Sequence, residues 1–197
     1  MCRTAPEHRF PQPQQDCIEA TQWILTQADT FGFDASRVAV AGDSAGGNLV
    51  TIMCGQFSDK IKYAVSVYPG NILVGENTTS RVANKDAPVL NSATLTWFHH
   101  SHVGDMSDEI LKNHALYTPL SRLPPTPDSA FPRMHVITAT LDPLHDDGVA
   151  YVKYLSDAGM EVTHAHYNTV HGFFANSIFP FGREALWDVC ERIRDNV

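Results

Sequence analysis

Gly42-Asp43-Ser44-Ala45-Gly46 is the stretch of this chain whose residue types and spacing are arranged for chemistry. A serine hydroxyl is a weak nucleophile and acts only beside a base. Here it lies between an apolar run, Val38–Gly42, that reads as a buried strand, and a segment from Gly46 to about Phe57 that reads as a helix. Gly-x-Ser-x-Gly in that strand–turn–helix context lifts the hydroxyl above the sheet edge. The turn is expected to be tight enough to need glycine on both sides. It aims the backbone N–H of Ala45 at the place where an oxyanion forms, and the following helix adds its positive dipole end there.

A serine presented in this way is followed along the chain by a carboxylate and then a histidine, each just past a strand. Asp142 follows the strand read at His135–Ala139, in Leu141-Asp142-Pro143-Leu144. His171 follows the strand read at Val162–Tyr167, in Val170-His171-Gly172-Phe173. Taken singly, an aspartate at a strand end is a common turn former, and a loop histidine is commonly solvated. The three residues in this order, each at a strand end, point to nucleophilic acyl transfer. A histidine base predicts a rate that climbs as imidazole loses its proton, near the reference value of about 6.5.

The elements that must position these residues alternate. A helix over residues 14–30 carries Cys17, Ile18, Ile24, Leu25 and Ala28 as one apolar stripe, with Gly32 as its left-handed stop. Strands at 38–42, 63–68, 135–139 and 162–167 alternate with helices at 46–57, 145–158 and 183–194. That alternation is the pattern of a parallel sheet flanked by helices in a single α/β domain. Residues 69–132 form a long insert without a strand, with a helix at 92–103 capped by Asn91 or Ser92 and stopped by Gly104, and a shorter one from Ser107. Five of the prolines fall between 119 and 132, an extended approach to the next strand.

Composition narrows the function classes. The chain has 197 residues, 43% of them hydrophobic, enough for a packed core. Its 14 Lys and Arg against 22 Asp and Glu leave a net charge of −8, which disfavours nucleic acid and anionic membrane as partners. No apolar run is long enough to span a membrane, and no secretory leader is evident. Cys2, Cys17, Cys54 and Cys190 have no metal-clamp spacing and read as four separate, mostly buried thiols in a reducing, cytosolic setting. His99, His100 and His102 read as a solvated helix face rather than a metal site. His164 and His166 share one face of a strand, where surface or packed histidines are the default.

Together these motifs resemble the hormone-sensitive-lipase-like branch of the α/β hydrolases. Arg3-Thr4-Ala5-Pro6-Glu7-His8-Arg9-Phe10-Pro11 is similar to that family's Arg-Leu-Ala-Pro-Glu-x-x-Phe-Pro segment, with Thr4 for leucine, and Asp16 to the aspartate that follows it. Gly42–Leu49 matches the nucleophile motif, Asp142-Pro143-Leu144-His145-Asp146 the acid motif with His145 for arginine, and His171-Gly172-Phe173 the histidine motif. The resemblance implies hydrolysis of small-molecule carboxylic esters of short to medium acyl length, with Ser44, Asp142 and His171 as nucleophile, acid and base, and no metal or organic cofactor. It places the 92–103 helix in a lid, with Trp97 and Phe98 over the acyl pocket. Asp43, beside the nucleophile, and Phe173, beside the base, are further candidates to line the substrate site.

One family feature is absent from these residues. The His-Gly-Gly-Gly segment that supplies further oxyanion-hole donors does not occur, and the family's first four strands lie upstream of the segment matched here. The expectation is therefore an N-terminally truncated or partial α/β-hydrolase whose Val38–Gly42 strand becomes a sheet edge. Such an edge invites pairing with another chain, and the activity of such a chain is expected to be weak. A chymotrypsin-like protease is set aside, because that fold needs its histidine and aspartate before the serine and an all-β pattern. A non-catalytic remnant or small-molecule binding module stays open. The plant gibberellin receptors resemble the same branch, but they lack the histidine that this chain keeps at His171.

Overall fold

The computed structural model describes residues 2–71, 77–114, 116–117 and 130–197. The elements run α1 (Gln12–Thr26), α2 (Ala28–Phe31), β1 (Val38–Asp43), α3 (Ala45–Gln56), β2 (Ile61–Val67), α4 (Thr79–Ala83), α5 (Ser92–Val103), α6 (Asp108–Asn113), β3 (Arg133–Leu141), α7 (His145–Asp157), β4 (Val162–Val170) and α8 (Gly182–Asn196). The four strands are all parallel, in the spatial order β1-β2-β3-β4. This is the α/β architecture with a flanked parallel sheet.

Side chains alternate along each strand and build a core on each face. On one face, Ala64 of β2 with Met134 and Val136 of β3 pack against Val50 and Cys54 of α3 and Tyr151 and Leu155 of α7. On the other, Tyr63, Val65 and Val67 of β2 with Ile137 and Ala139 of β3 pack against Ala185 and Val189 of α8. Cys17, Ile18 and Leu25 of α1 press onto Ile52, Met53 and Phe57. Ile24, expected on the same stripe, instead faces outward.

The insert contains three short helices and no strand among its described residues. Asn91 caps α5 through its side chain and Gly104 ends it; Ser107 caps α6 in the same way. The helix α4 was not foreseen. It is tied to α7: Asp146 accepts from the Ser80 N–H at 2.8 Å, Ser80 Oγ donates to the Pro143 carbonyl at 2.9 Å, and Arg81 pairs with the fully buried Asp147 at 3.0 Å. Of the five prolines between 119 and 132, only Pro132 lies within the described residues.

Within the described residues β1 has β2 as its one neighbour, as expected of an edge. A groove of about 480 Å³ runs beside it, lined by Cys17, Thr21, Val40, Gly46, Leu49 and Met53. The cysteines are reduced, but they are neither all separate nor mostly buried. Cys54 is buried, Cys2 and Cys17 are half-buried, and Cys190 is exposed. Burial first, and then the neighbouring Cys2 thiol, push Cys17 up to about 11. No described helix is long and apolar enough to cross a membrane.

His135 gives the fold an acid-sensitive point. Its ring is fully buried between β3 and α8, with Nδ1 2.8 Å from Thr163 Oγ1 and Nε2 3.3 Å from an Asp188 carboxylate oxygen. Burial first, and then the Arg192 guanidinium, hold it down at about 4 from an ordinary 6.5. As pH falls from 6.5 toward 4, an unfolded chain takes up a proton that the folded chain refuses. The stability contribution is therefore complete above 6.5 and is lost progressively toward 4. Thermal melts at pH 7 and pH 5 should show H135L losing less stability on acidification than the parent, by on the order of 1 kcal/mol. An equal loss in both would remove His135 from the account.

Candidate active site

β1 delivers Ser44 at a corner. Its backbone sits at φ 55° and ψ −117°, a strained conformation for a residue with a side chain, and such strain gathers at functional turns. The corner is pinned by the Ser44 N–H donating to the Val67 carbonyl at 2.9 Å. A Cβ on Gly42 would come within 2.5 Å of the Gly46 carbonyl oxygen, so glycine is required there. The expectation of glycine on both sides holds only for Gly42. A Cβ on Gly46 would meet nothing within 4 Å, because that residue faces the uncovered groove beside β1. Gly47 is the second tight position, with the Val67 carbonyl 2.9 Å from where its Cβ would be.

β3 delivers Asp142 and β4 delivers His171. Asp142 is 0% exposed. One of its carboxylate oxygens accepts from the Leu144 N–H at 2.8 Å, and the other accepts from His171 Nδ1 at 2.7 Å. The carboxylate has no hydrogen to give, so Nδ1 carries the proton and Nε2 is left as an acceptor. Ser44 Oγ lies 2.8 Å from that Nε2. Gly172, at φ 77°, turns the chain immediately after the histidine. The three side chains singled out from the sequence therefore form one continuous hydrogen-bonded line. Nucleophile-to-base and base-to-carboxylate contacts within about 2.6–3.2 Å are the geometry that serine activation requires.

Ala45 is the first residue of α3, in the turn whose N–H groups have no acceptor within the helix. Of the pocket candidates, Trp97 and Phe98 are 62% and 53% exposed on α5, with ring centroids 5.2 Å apart. Asp43 accepts a hydrogen bond from Tyr68 Oη at 3.2 Å. Phe173 does not line a pocket. It is 0% exposed and wedged between Tyr68 and Tyr167. Adjacency to His171 fixed its place in the chain but not the side on which it points, and the side is the core.

Three further residues at the site are not among the candidates that the sequence singled out. Tyr68 lies against His171, with centroids 4.4 Å apart. Asn84 donates from Nδ2 to the Asp142 carbonyl at 3.1 Å and so ties the insert to the acid loop. Val89 lies 3.2 Å from where a Gly172 Cβ would be. The only available hint was the aromatic Tyr68 before Pro69-Gly70 at the end of a strand.

No group of three or more His, Cys, Asp or Glu side chains among the described residues could hold a metal ion. His99 bonds Tyr117 and His102 bonds Gln14. His164 and His166 share the Thr138 hydroxyl. These rings are engaged within the protein.

The sequence matches the alpha/beta hydrolase fold family over residues 2–175. It is similar to an ethyl acetate hydrolase of Pseudomonas putida, 34% identical over 81% of this chain and 50% of that protein. It is also similar to an esterase of Mycobacterium tuberculosis, 31% identical over 93% of this chain and 57% of that protein. The chain thus spans about half the length of the curated relatives it matches. Among solved structures, an esterase of Pyrobaculum calidifontis superposes with a TM-score of 0.89 at 32% identity, over 98% of this chain and 64% of that one. With a parallel sheet, a strained serine corner and a family match across most of its length, the chain belongs to the α/β-hydrolase-fold family, in its hormone-sensitive-lipase-like branch.

Proposed function

We propose that this chain carries the nucleophile, base and acid of a carboxylic ester hydrolase. The observation that supports it most directly is the line from Ser44 Oγ to His171 Nε2 at 2.8 Å and from His171 Nδ1 to Asp142 at 2.7 Å. Ser44 Oγ attacks the ester carbonyl carbon as His171 Nε2 takes its proton. Asp142 holds the imidazole orientation and stabilises the imidazolium. The tetrahedral intermediate collapses, His171 protonates the departing alkoxide, and an acyl-serine remains. Water, deprotonated by the same nitrogen, attacks the acyl-serine and releases the carboxylic acid, and the proton returns to Ser44.

In this reading the described helices of the insert, α4 to α6, act as a lid over the substrate. The exposed rings of Trp97 and Phe98 offer apolar surface to a short or medium acyl chain. A fluorophosphonate probe should label the parent and fail to label S44A. Equal labelling of both would place the reactive group elsewhere, and no labelling of either would favour the binding-module reading.

The Ala45 N–H is the proposed oxyanion donor, and no His-Gly-Gly-Gly segment occurs in the 197 residues to supply others. Loss of one such donor costs about 10²–10³ in turnover in a well-studied protease. With a short p-nitrophenyl ester, the chain alone should turn over at least that much more slowly than relatives that carry the segment. Parity with them would sink this assignment of the oxyanion site.

The uncovered edge of β1 supports self-association, since a strand edge presents unpaired N–H and C=O groups. Sedimentation across a tenfold range of concentration should show a species larger than the monomer growing in. A monomer at every concentration would reject the pairing.

A further inference from the structure

We infer that Tyr68 is a positioning residue for His171, its ring supporting the imidazole and its hydroxyl fastening that ring to the serine corner. The inference rests on the reading of His171 as the base.

Sheet order creates the need for such a residue. Ser44 leaves β1 and His171 leaves β4, with β2 and β3 lying between them. Three strand spacings amount to roughly 14 Å, so the imidazole must lean back across the ends of the two middle strands. Asp142, at the end of β3, holds one ring nitrogen. Tyr68 is the residue at the end of β2, and its ring lies 4.4 Å from the imidazole, centroid to centroid, tilted by 48°.

The backbone of Tyr68 is strained to make this contact. Its φ is +35°, in the left-handed region where a bulky side chain is rare. The residue still keeps its sheet bond, its N–H donating to the Ile137 carbonyl at 2.7 Å. A strained residue persists where its surroundings over-determine it, and such residues cluster at functional sites. The surroundings here are specific. Phe173 packs on Tyr68 with centroids 5.7 Å apart, and Tyr68 itself is 1% exposed.

The hydroxyl ties the ring to the serine corner: it donates to Asp43 Oδ2 at 3.2 Å, next to the nucleophile. Burial and the Asp43 carboxylate both push the phenol above its ordinary range, so it stays protonated and able to donate. The ring has a second effect. An aromatic face favours a cation held against it, and the histidine becomes an imidazolium as Ser44 attacks.

Two variants separate ring from hydroxyl. Y68F keeps the ring and removes the fastening, whereas Y68L removes both. Each is compared with the parent by the rate of fluorophosphonate labelling from pH 5 to 8, and by the far-downfield proton resonance of the His171 Nδ1–H held by Asp142. Y68L is expected to label about tenfold more slowly. Its acidic limb should move to lower pH, and its downfield resonance should be lost to exchange. Y68F should keep the limb in the parent position but show a broadened resonance. If Y68L does not fold, the Y68F resonance alone decides. An unchanged resonance in both variants, or a rate loss at one pH that merely tracks the fraction folded with no movement of the limb, overturns the inference. A parent that gives the resonance but never labels would sink the esterase reading instead and leave the positioning role standing.

Discussion

Everything at the carboxyl edge of this sheet answers to one distance. An imidazole rooted at the end of β4 has to sit within 2.8 Å of a hydroxyl rooted at the end of β1. A parallel sheet sets its strands about 4.8 Å apart, and no side chain spans three of those gaps. The loop after β4 must therefore fold back over β3 and β2. Gly172 supplies the reversal with its positive φ, and the buried Phe173 drives into the core immediately afterwards. The ring is left suspended between the two strands it crosses. Asp142 meets it from β3 and Tyr68 meets it from β2, so the order of strands decides which side chains can reach the imidazole.

What was legible in the sequence was what is local. The serine corner is specified by about ten consecutive residues, an apolar strand, a glycine-flanked serine and a helix start, and it appears where those residues put it. The cap of α5 at Asn91 and its stop at Gly104 are equally local. The five residues of α4 are too few to show a helical period, and tertiary bonds from Ser80 and Arg81 to the start of α7 hold them. Phe173 and Tyr68 were illegible for another reason. Each sits where the chain leaves regular alternation, so neighbours in sequence no longer say which face a side chain takes. Tyr68 reads as the last residue of a strand, whereas its φ of +35° turns it out of the strand and against the histidine.

The first part of the insert is fastened inward. Asp147 is fully buried; it accepts from the Asn71 N–H at 3.0 Å and pairs with Arg81. Asn71 in turn accepts from Asn48 at 3.2 Å and Thr51 at 3.4 Å on α3. This network joins the helix that follows the serine to the helix that follows the aspartate. Burying an ion pair costs much of what its attraction returns. Its effect here is best understood as geometric, since it fixes the spacing of α3 and α7 on one face of the sheet.

Tyr68 and Phe173 perform the matching task on the α8 face, so the serine corner is braced from both sides of the sheet by different chemistry, polar on one and aromatic on the other. Among the described residues the bracing does not extend along the sheet past β1, where Gly46 lines a groove. In the proposed reaction the two halves of serine catalysis are therefore unequally provided. Activation of the hydroxyl needs only the ends of β1 to β4, and all of these are present and mutually supported. Stabilisation of the charge that develops on the ester oxygen needs converging donors, and the residues of this chain offer the Ala45 N–H.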